Sequence, residues 1–405
     1  MKHFFSVLLA LLCTVTVNAA PKAKNNGLVK FTLYGMDVQV HFDASKRVKV
    51  KKGTDDQIAK CVTWIEATTS ETLQDCRQLQ QEYNLNDWAY VKLVDKLSQT
   101  ALGQSNEAVL LATSLLSRSG YGARVIRQDK GMLRLLYQTD AYIFNQPFFK
   151  MNDKSFYLYG DTVNSSQEAK VLDVCGGEGK PIDFRFKKEP RFPEQLSQPR
   201  TLKSLKNPDF SFVVQVNKNL VDFYGDMPAF SYDNNFMTRW STIANYPLEK
   251  HLRETLIPQM KQKLAGKSQQ EQVQELLWWM HGTMESSDVE NKDCFLYGFD
   301  EDVWGYDRSF YCEETLFYPY CDTEDRSILL SRLIRDVVGV DVLFIYYPGH
   351  TAIAVCITDD YVKGAHVVQQ GRYFVICDPS YLGSDVGEEM PTMIDQKKTT
   401  ILLER

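Results

Sequence analysis

Cysteine is scarce in this chain. Nine are spread over 405 residues, no Cys-x-x-Cys occurs, and the six histidines are scattered. That excludes a disulfide scaffold and leaves no pattern for a zinc site. Long apolar runs are missing too. The one candidate, Phe4 to Leu12, falls well short of the ~20 residues a membrane-spanning helix needs. No basic stripe runs with the aromatics, and the formal net charge is −6, which argues against nucleic acid as a partner.

What is present begins with an export signal. Lys2 and His3 precede the apolar run, and Val17-Asn18-Ala19 fits a small-x-small cleavage site. Removal after Ala19 is expected. Cys13 stands too early, behind a bulky Leu12, for a lipoprotein box. The mature chain is therefore expected to be periplasmic or secreted, with no membrane insertion, and long enough for two or three domains.

A weak internal repeat organises the rest. Residues 28–43 (LVKFTLYGMDVQVHFD) and 211–226 (SFVVQVNKNLVDFYGD) both alternate apolar and polar on either side of a polar turn, which predicts a hairpin in each. The same offset sets Glu71-Thr72-Leu73 on Glu254-Thr255-Leu256. It also sets Leu93, Val94 and Leu97 on Leu276, Leu277 and Met280, at helical spacing. Further on, a larger offset matches Leu110-Leu111 to Leu329-Leu330 and Gly120 to Gly339, each glycine placed to stop a helix. Gln104 then falls opposite residue 323. The growth in offset implies an insertion in the second copy over 283–320, rich in aromatics from Phe295 to Tyr320. Between the copies, 176–207 carries Gly176-Gly177, Pro181, Pro190, Pro193 and Pro199 and reads as a linker, with Ile182, Phe184 and Phe186 spaced for a strand. The expected plan is a signal peptide (1–19), a first domain (20–175), the linker (176–207) and a second domain (208–405).

The second copy holds the residues that could carry chemistry. Asp322 is a good N-cap with Asp325 three residues on. Leu329, Leu330, Leu333, Ile334 and Val337 give the helix its apolar stripe, and Gly339 ends it. Val342 to Tyr347 is a strand, Pro348-Gly349 a turn, and His350 opens a strand through Cys356. A hairpin after Gly364 leads into Arg372 to Asp378. Arg326, Arg332 and Arg335 are expected on the outer helix face or paired with acids. Trp278-Trp279 reads as core plus a partly exposed neighbour, and His281 has no partner in sequence.

This order resembles the transglutaminase-like superfamily of papain-like thiol enzymes over about residues 250–385. That family places cysteine in the first turn of a helix within an Asp-Cys-Glu-Asp run, followed by a histidine and an aspartate on adjacent strands. Asp322-Thr323-Glu324-Asp325 matches three of the four positions, and His350 and Asp378 match the other two. The resemblance implies an α+β fold of two tandem units. Each would have a hairpin, a helix pair, and a helix packed on an antiparallel sheet, the first unit being eroded. It implies amide or peptide chemistry with no metal or organic cofactor.

Thr323 stands where the thiol belongs. Its hydroxyl is far less acidic than a thiol, and threonine nucleophiles use their own terminal amine as base, which an internal residue lacks. The leading expectation is a catalytically impaired protein that binds a peptide, glycopeptide or protein ligand in the former active-site groove. The alternative is an active thiol hydrolase or acyltransferase built on Cys321, His350 and Asp378. Cys321 lies up to ~7 Å from Thr323 along extended chain, ahead of the helix cap. If His350 faces Asp378, then Cys377 lies opposite Thr351. Cys356 and Cys377 would then be on opposite sheet faces and form no disulfide.

Overall fold

The computed structural model describes residues 27–160, 170–176, 179–233, 235–282, 296–297, 308–359 and 362–404. The expected signal peptide lies outside the described residues. So do Phe295, Phe299, Trp304 and Tyr306 of the aromatic-rich stretch.

The described residues open with a hairpin of β1 (Leu28–Leu33) and β2 (Met36–His41), with Met36, Val38 and Val40 turned inward. Tyr34 and Gly35 make its turn with φ of 46° and 75°. Gly35 is required there, since a Cβ would sit 2.2 Å from Asn219 Nδ2. Four helices follow: α1 (Asp55–Thr68), α2 (Ser70–Glu82), α3 (Asp87–Leu102) and α4 (Asn106–Arg118). Strands β3 (Ala123–Arg127), β4 (Leu133–Gln138), β5 (Tyr142–Ile143), β6 (Phe148–Met151), β7 (Lys154–Leu158) and β8 (Lys170–Leu172) complete this part. Its five-stranded sheet is antiparallel, in the order β6-β7-β4-β3-β8.

The second half contains β9 (Arg200–Lys203), β10 (Ser211–Val214), α5 (Lys218–Gly225), β11 (Phe230–Ser231), α6 (Phe236–Asn245), α7 (Lys250–Leu264) and α8 (Gln269–Gly282). Then come β12 (Leu296–Tyr297), α9 (Cys312–Phe317), β13 (Tyr320–Cys321) and α10 (Thr323–Val337). Strands β14 (Val342–Tyr347), β15 (His350–Val355), β16 (His366–Gln369), β17 (Arg372–Cys377) and β18 (Thr399–Leu402) form its sheet. That sheet is antiparallel in the order β16-β17-β15-β14-β18. Relabelled by position, the two sheets have one topology. The protein is α+β, with two helix-and-sheet units of the same plan.

The repeat holds at the helices and is displaced at the hairpin. Leu93, Val94 and Leu97 on α3 and Leu276, Leu277 and Met280 on α8 are all buried. Gly120 and Gly339 both have positive φ. The hairpin expected at 211–226 is instead a strand followed by a helix. Asn217 caps α5 by accepting from Asn219 N, and Leu220, Val221, Phe223 and Tyr224 are buried at helical spacing. The second hairpin is β9–β10, with Leu202 paired to Phe212. It occupies the same place as the first: β1 packs on α3 and β2 on α2, as β9 packs on α8 and β10 on α7.

The two units share one continuous core. The stretch 176–207 enters it: Ile182 and Phe184 are buried, and Phe184 stacks on Phe230 at 4.9 Å. The alternation at 182–186 therefore fills space between the units, and no strand forms over those residues. Short β5 pairs with β11 across the units. Asp226 joins them further, accepting from Tyr34 Oη at 2.7 Å and Trp88 Nε1 at 2.9 Å and meeting Lys92 Nζ at 3.2 Å.

Helix α10 sits at the centre of the second unit, between α6, α7, α8 and α9 on one side and β14–β15 on the other. Of the two placements expected for its arginines, the outer face is corrected, since Arg326, Arg332 and Arg335 are all buried, while pairing with an acid holds for Arg332. Buried guanidinium groups need acceptors. Arg335 donates to the carbonyls of Ala244, Ser331 and Glu404, and Arg332 pairs with Asp336.

Candidate active site

The start of α10 is built as its sequence suggests. Asp322 and Asp325 form a capping box, each carboxylate accepting from the other's backbone N–H. Asp325 also takes the N–H of Phe310 at 2.7 Å, tying the cap to the chain before α9. Thr323 is the first helical residue and half-buried. Its hydroxyl donates to Glu324 Oε2 at 3.4 Å. A group here sees the positive end of the helix.

His350 and Asp378 are brought together. The Pro348-Gly349 turn, with Gly349 at φ 77°, sets His350 opposite Tyr347 at the start of β15. Asp378 follows the last residue of β17. Its Oδ1 accepts from the N–H groups of Ser380 (2.9 Å) and Tyr381 (3.1 Å). Its Oδ2 lies 2.7 Å from His350 Nε2. A carboxylate only accepts, so Nε2 carries the proton and Nδ1 is the nitrogen left for another partner. Both side chains are buried.

Thr323 is not joined to this pair. Thr323 lies one turn before Ser327, and Ser327 Oγ meets Thr351 Oγ1 at 3.5 Å, one residue past His350. No hydrogen bond links Thr323 or Cys321 to His350. Cys321 is fully buried, and its sulfur accepts from Arg326 Nε at 3.3 Å. Burial pushes its thiol up to about 12, so it is a thiol and not a thiolate at neutral pH.

The strand register departs from expectation by two residues. Cys377 faces Ile353 rather than Thr351. A shift of two preserves faces. Cys377 lies in the main core and Cys356 in the cluster on the other side of the sheet, and both are free thiols.

One residue given no role from the sequence is part of this constellation. His281, at the end of α8, is fully buried and donates from Nε2 to the carbonyl of Asp378 at 3.1 Å. Burial pulls it down to about 4, so it is neutral at pH 7. The signal for it was its spacing, four residues past Leu277 on the inward stripe. Trp279 is buried, while its neighbour Trp278 is partly exposed and donates to Asp385 at 2.9 Å.

The first unit shows the same positions without chemistry. Ser105 caps α4 as Asp322 caps α10, so Asn106, not Gln104, takes the place of Thr323. Leu133 stands where His350 stands, since it opens β4 opposite Arg127. Leu136 pairs with Leu158 as Ile353 pairs with Cys377, which puts Tyr159 at the place of Asp378. Asn106 holds the carbonyls of Val50 and Gly131 and the N–H of Leu133, each at 2.9 Å. Tyr159 donates to Asp95 at 3.1 Å.

Among the described residues no group of three or more His, Cys, Asp or Glu is placed to hold a metal. No described helix is long and apolar enough to cross a membrane. Neither protein families, nor curated proteins, nor solved structures give a match to this chain.

Proposed function

We propose that this is an exported transglutaminase-like protein that has lost turnover and binds a peptide, glycopeptide or protein ligand beside the start of α10. The observation that carries the reading is the His350–Asp378 pair, kept at 2.7 Å where the residue at the helix start is threonine. A general base and its orienting carboxylate serve thiol chemistry only with an acidic nucleophile beside them. The hydroxyl of Thr323 is not acidic, and the thiol of Cys321 is buried and protonated. Support for binding comes from the chain leading into the helix. Tyr318 and Tyr320 are half-buried just before the cap, their rings stacked with centroids 6.3 Å apart, and offer aromatic surface to a peptide or sugar.

The competing reading, an active Cys321-His350-Asp378 enzyme, separates from this one by alkylation. Native protein treated with iodoacetamide at neutral pH and mapped by mass spectrometry should show Cys321 unmodified, with labelling only after unfolding. Rapid native labelling of Cys321, abolished by His350→Ala, would overturn the non-catalytic reading.

A further inference from the structure

Away from the candidate active site, a cleft of about 550 Å³ opens between residues 189–194, the start of α5 and the start of α7. Its walls include Glu189, Phe192, Glu194, Leu220, Glu249 and His251. Two of its three acids are answered. Glu189 takes Arg253 Nη2 at 2.6 Å and the N–H of Lys250 at 2.9 Å, and Glu194 lies 3.3 Å from His251 Nδ1.

Glu249 is different. It is 5% exposed, and its Oε1 accepts from Asn217 N at 2.7 Å. Its Oε2 has no hydrogen-bond partner among the described residues. Behind it, Glu313 is buried and accepts from Glu249 N at 2.7 Å. The charges that act most strongly on the Glu249 carboxyl, those of Glu313, Glu189 and Glu194, are all negative. Arg191 and Lys250 also line the cleft, but both are exposed, where solvent screens them. A carboxyl oxygen without a partner, in a negative field and open to a cavity, lacks a cationic donor.

We propose that this cleft binds a primary ammonium group, which donates to Glu249 Oε2 while its alkyl chain lies along Phe192 and Leu220. An N⁺–H to carboxylate bond is the strong, short kind. The apolar walls suit the methylene stem behind an ammonium. Burial and Glu313 hold the carboxyl protonated up to about pH 8. Binding at neutral pH therefore breaks the Glu249 O–H bond and passes one proton to the buffer as the ammonium takes its place. The ammonium can come from a free diamine or from a lysine side chain.

Calorimetric titration of the full mature chain tests this with two probes, diaminobutane and N-acetyl-lysine N-methylamide. Saturable binding is expected, with heats that differ between buffers of different ionisation enthalpy. Affinity should rise by up to about tenfold per pH unit between pH 6 and 8. Tighter binding of the lysine derivative assigns a polypeptide ligand, and tighter binding of the diamine assigns a free amine. Glu249→Gln keeps the acceptor for Asn217, and Glu249 makes no side-chain cap on α7, so the variant should fold. Its affinity should be at least tenfold weaker and independent of pH. No saturable binding by either probe, equal affinity in Glu249→Gln, or a flat pH profile in the wild type would each overturn the assignment.

Discussion

Replacing Asp378 by alanine should lower the unfolding free energy by about 3 kcal/mol, because its carboxylate is the acceptor for one buried and two part-buried donors. The side chain is 2% exposed and serves three donors at once: His350 Nε2 and the N–H groups of Ser380 and Tyr381. Alanine leaves all three unanswered, and a buried donor so left, as His350 Nε2 would be, costs about 1–3 kcal/mol, the two part-buried turn N–H groups less. His350→Ala should cost less, because Asp378 keeps the two turn N–H groups. Urea unfolding of both variants measures the difference. A loss below about 1 kcal/mol for Asp378→Ala would mean the turn re-forms without its carboxylate. The effect is independent of turnover, so the pair contributes to stability whether or not a nucleophile stands beside it.

The second large effect is on pH dependence. Burial pushes Glu249 up to about 8 and Glu313 up to about 7, from 4.5. The folded protein then holds protons that the unfolded chain has released. The stabilisation is complete below the unfolded value and is lost as pH rises through 7 and 8. His281 works in the opposite sense. Its depressed value makes stability rise with pH between about 4 and 6.5. The clean window is therefore pH 6.5 to 8, where stability should fall by on the order of 2 kcal/mol. The groups facing the pair are Glu189 and Glu194 from the connecting stretch, Asn217 from the start of α5, and Glu314 from α9. In Glu249→Gln most of the fall should vanish. Denaturation midpoints across the window check it, and a wild-type profile that is flat or rising there would contradict the buried-pair account.

The parts of the fold that were legible in sequence are those written in local chemistry. Asp322 as a cap, Gly339 as a stop and Pro348-Gly349 as a turn delimit α10, β14 and the start of β15 within one residue of where they stand. What failed depended on neighbours distant in sequence. Val221 and Phe223 are spaced two apart, as in a strand. Only the burial of Leu220 and Tyr224 with them shows a helix. The register of β15 on β17 joins residues distant in sequence, and a difference of two changes every pair while keeping every face. The arginines of α10 looked external because nothing local says that α6 to α9 close over the helix.

The first unit teaches the same lesson about sites. Counting back from Gly120 reaches Gln104, but α4 runs Asn106–Arg118 where α10 runs Thr323–Val337, two residues longer. The cap, not the stop, marks the position equivalent to Thr323. Once placed by caps and strand pairs, Asn106 binds backbone, Leu133 is apolar and Tyr159 donates to a carboxylate outside the trio.

The account turns on Thr323 occupying a position that would ionise a thiol if one were present. The most direct measurement is the pH dependence of iodoacetamide labelling at residue 323 in Thr323→Cys, repeated with His350→Ala. If the capped helix start and His350 act together as proposed, the new thiol should come to about 7 or below, returning toward the ordinary ~8.5 when the histidine is removed. An ordinary or raised value in Thr323→Cys, unchanged by His350→Ala, would contradict it.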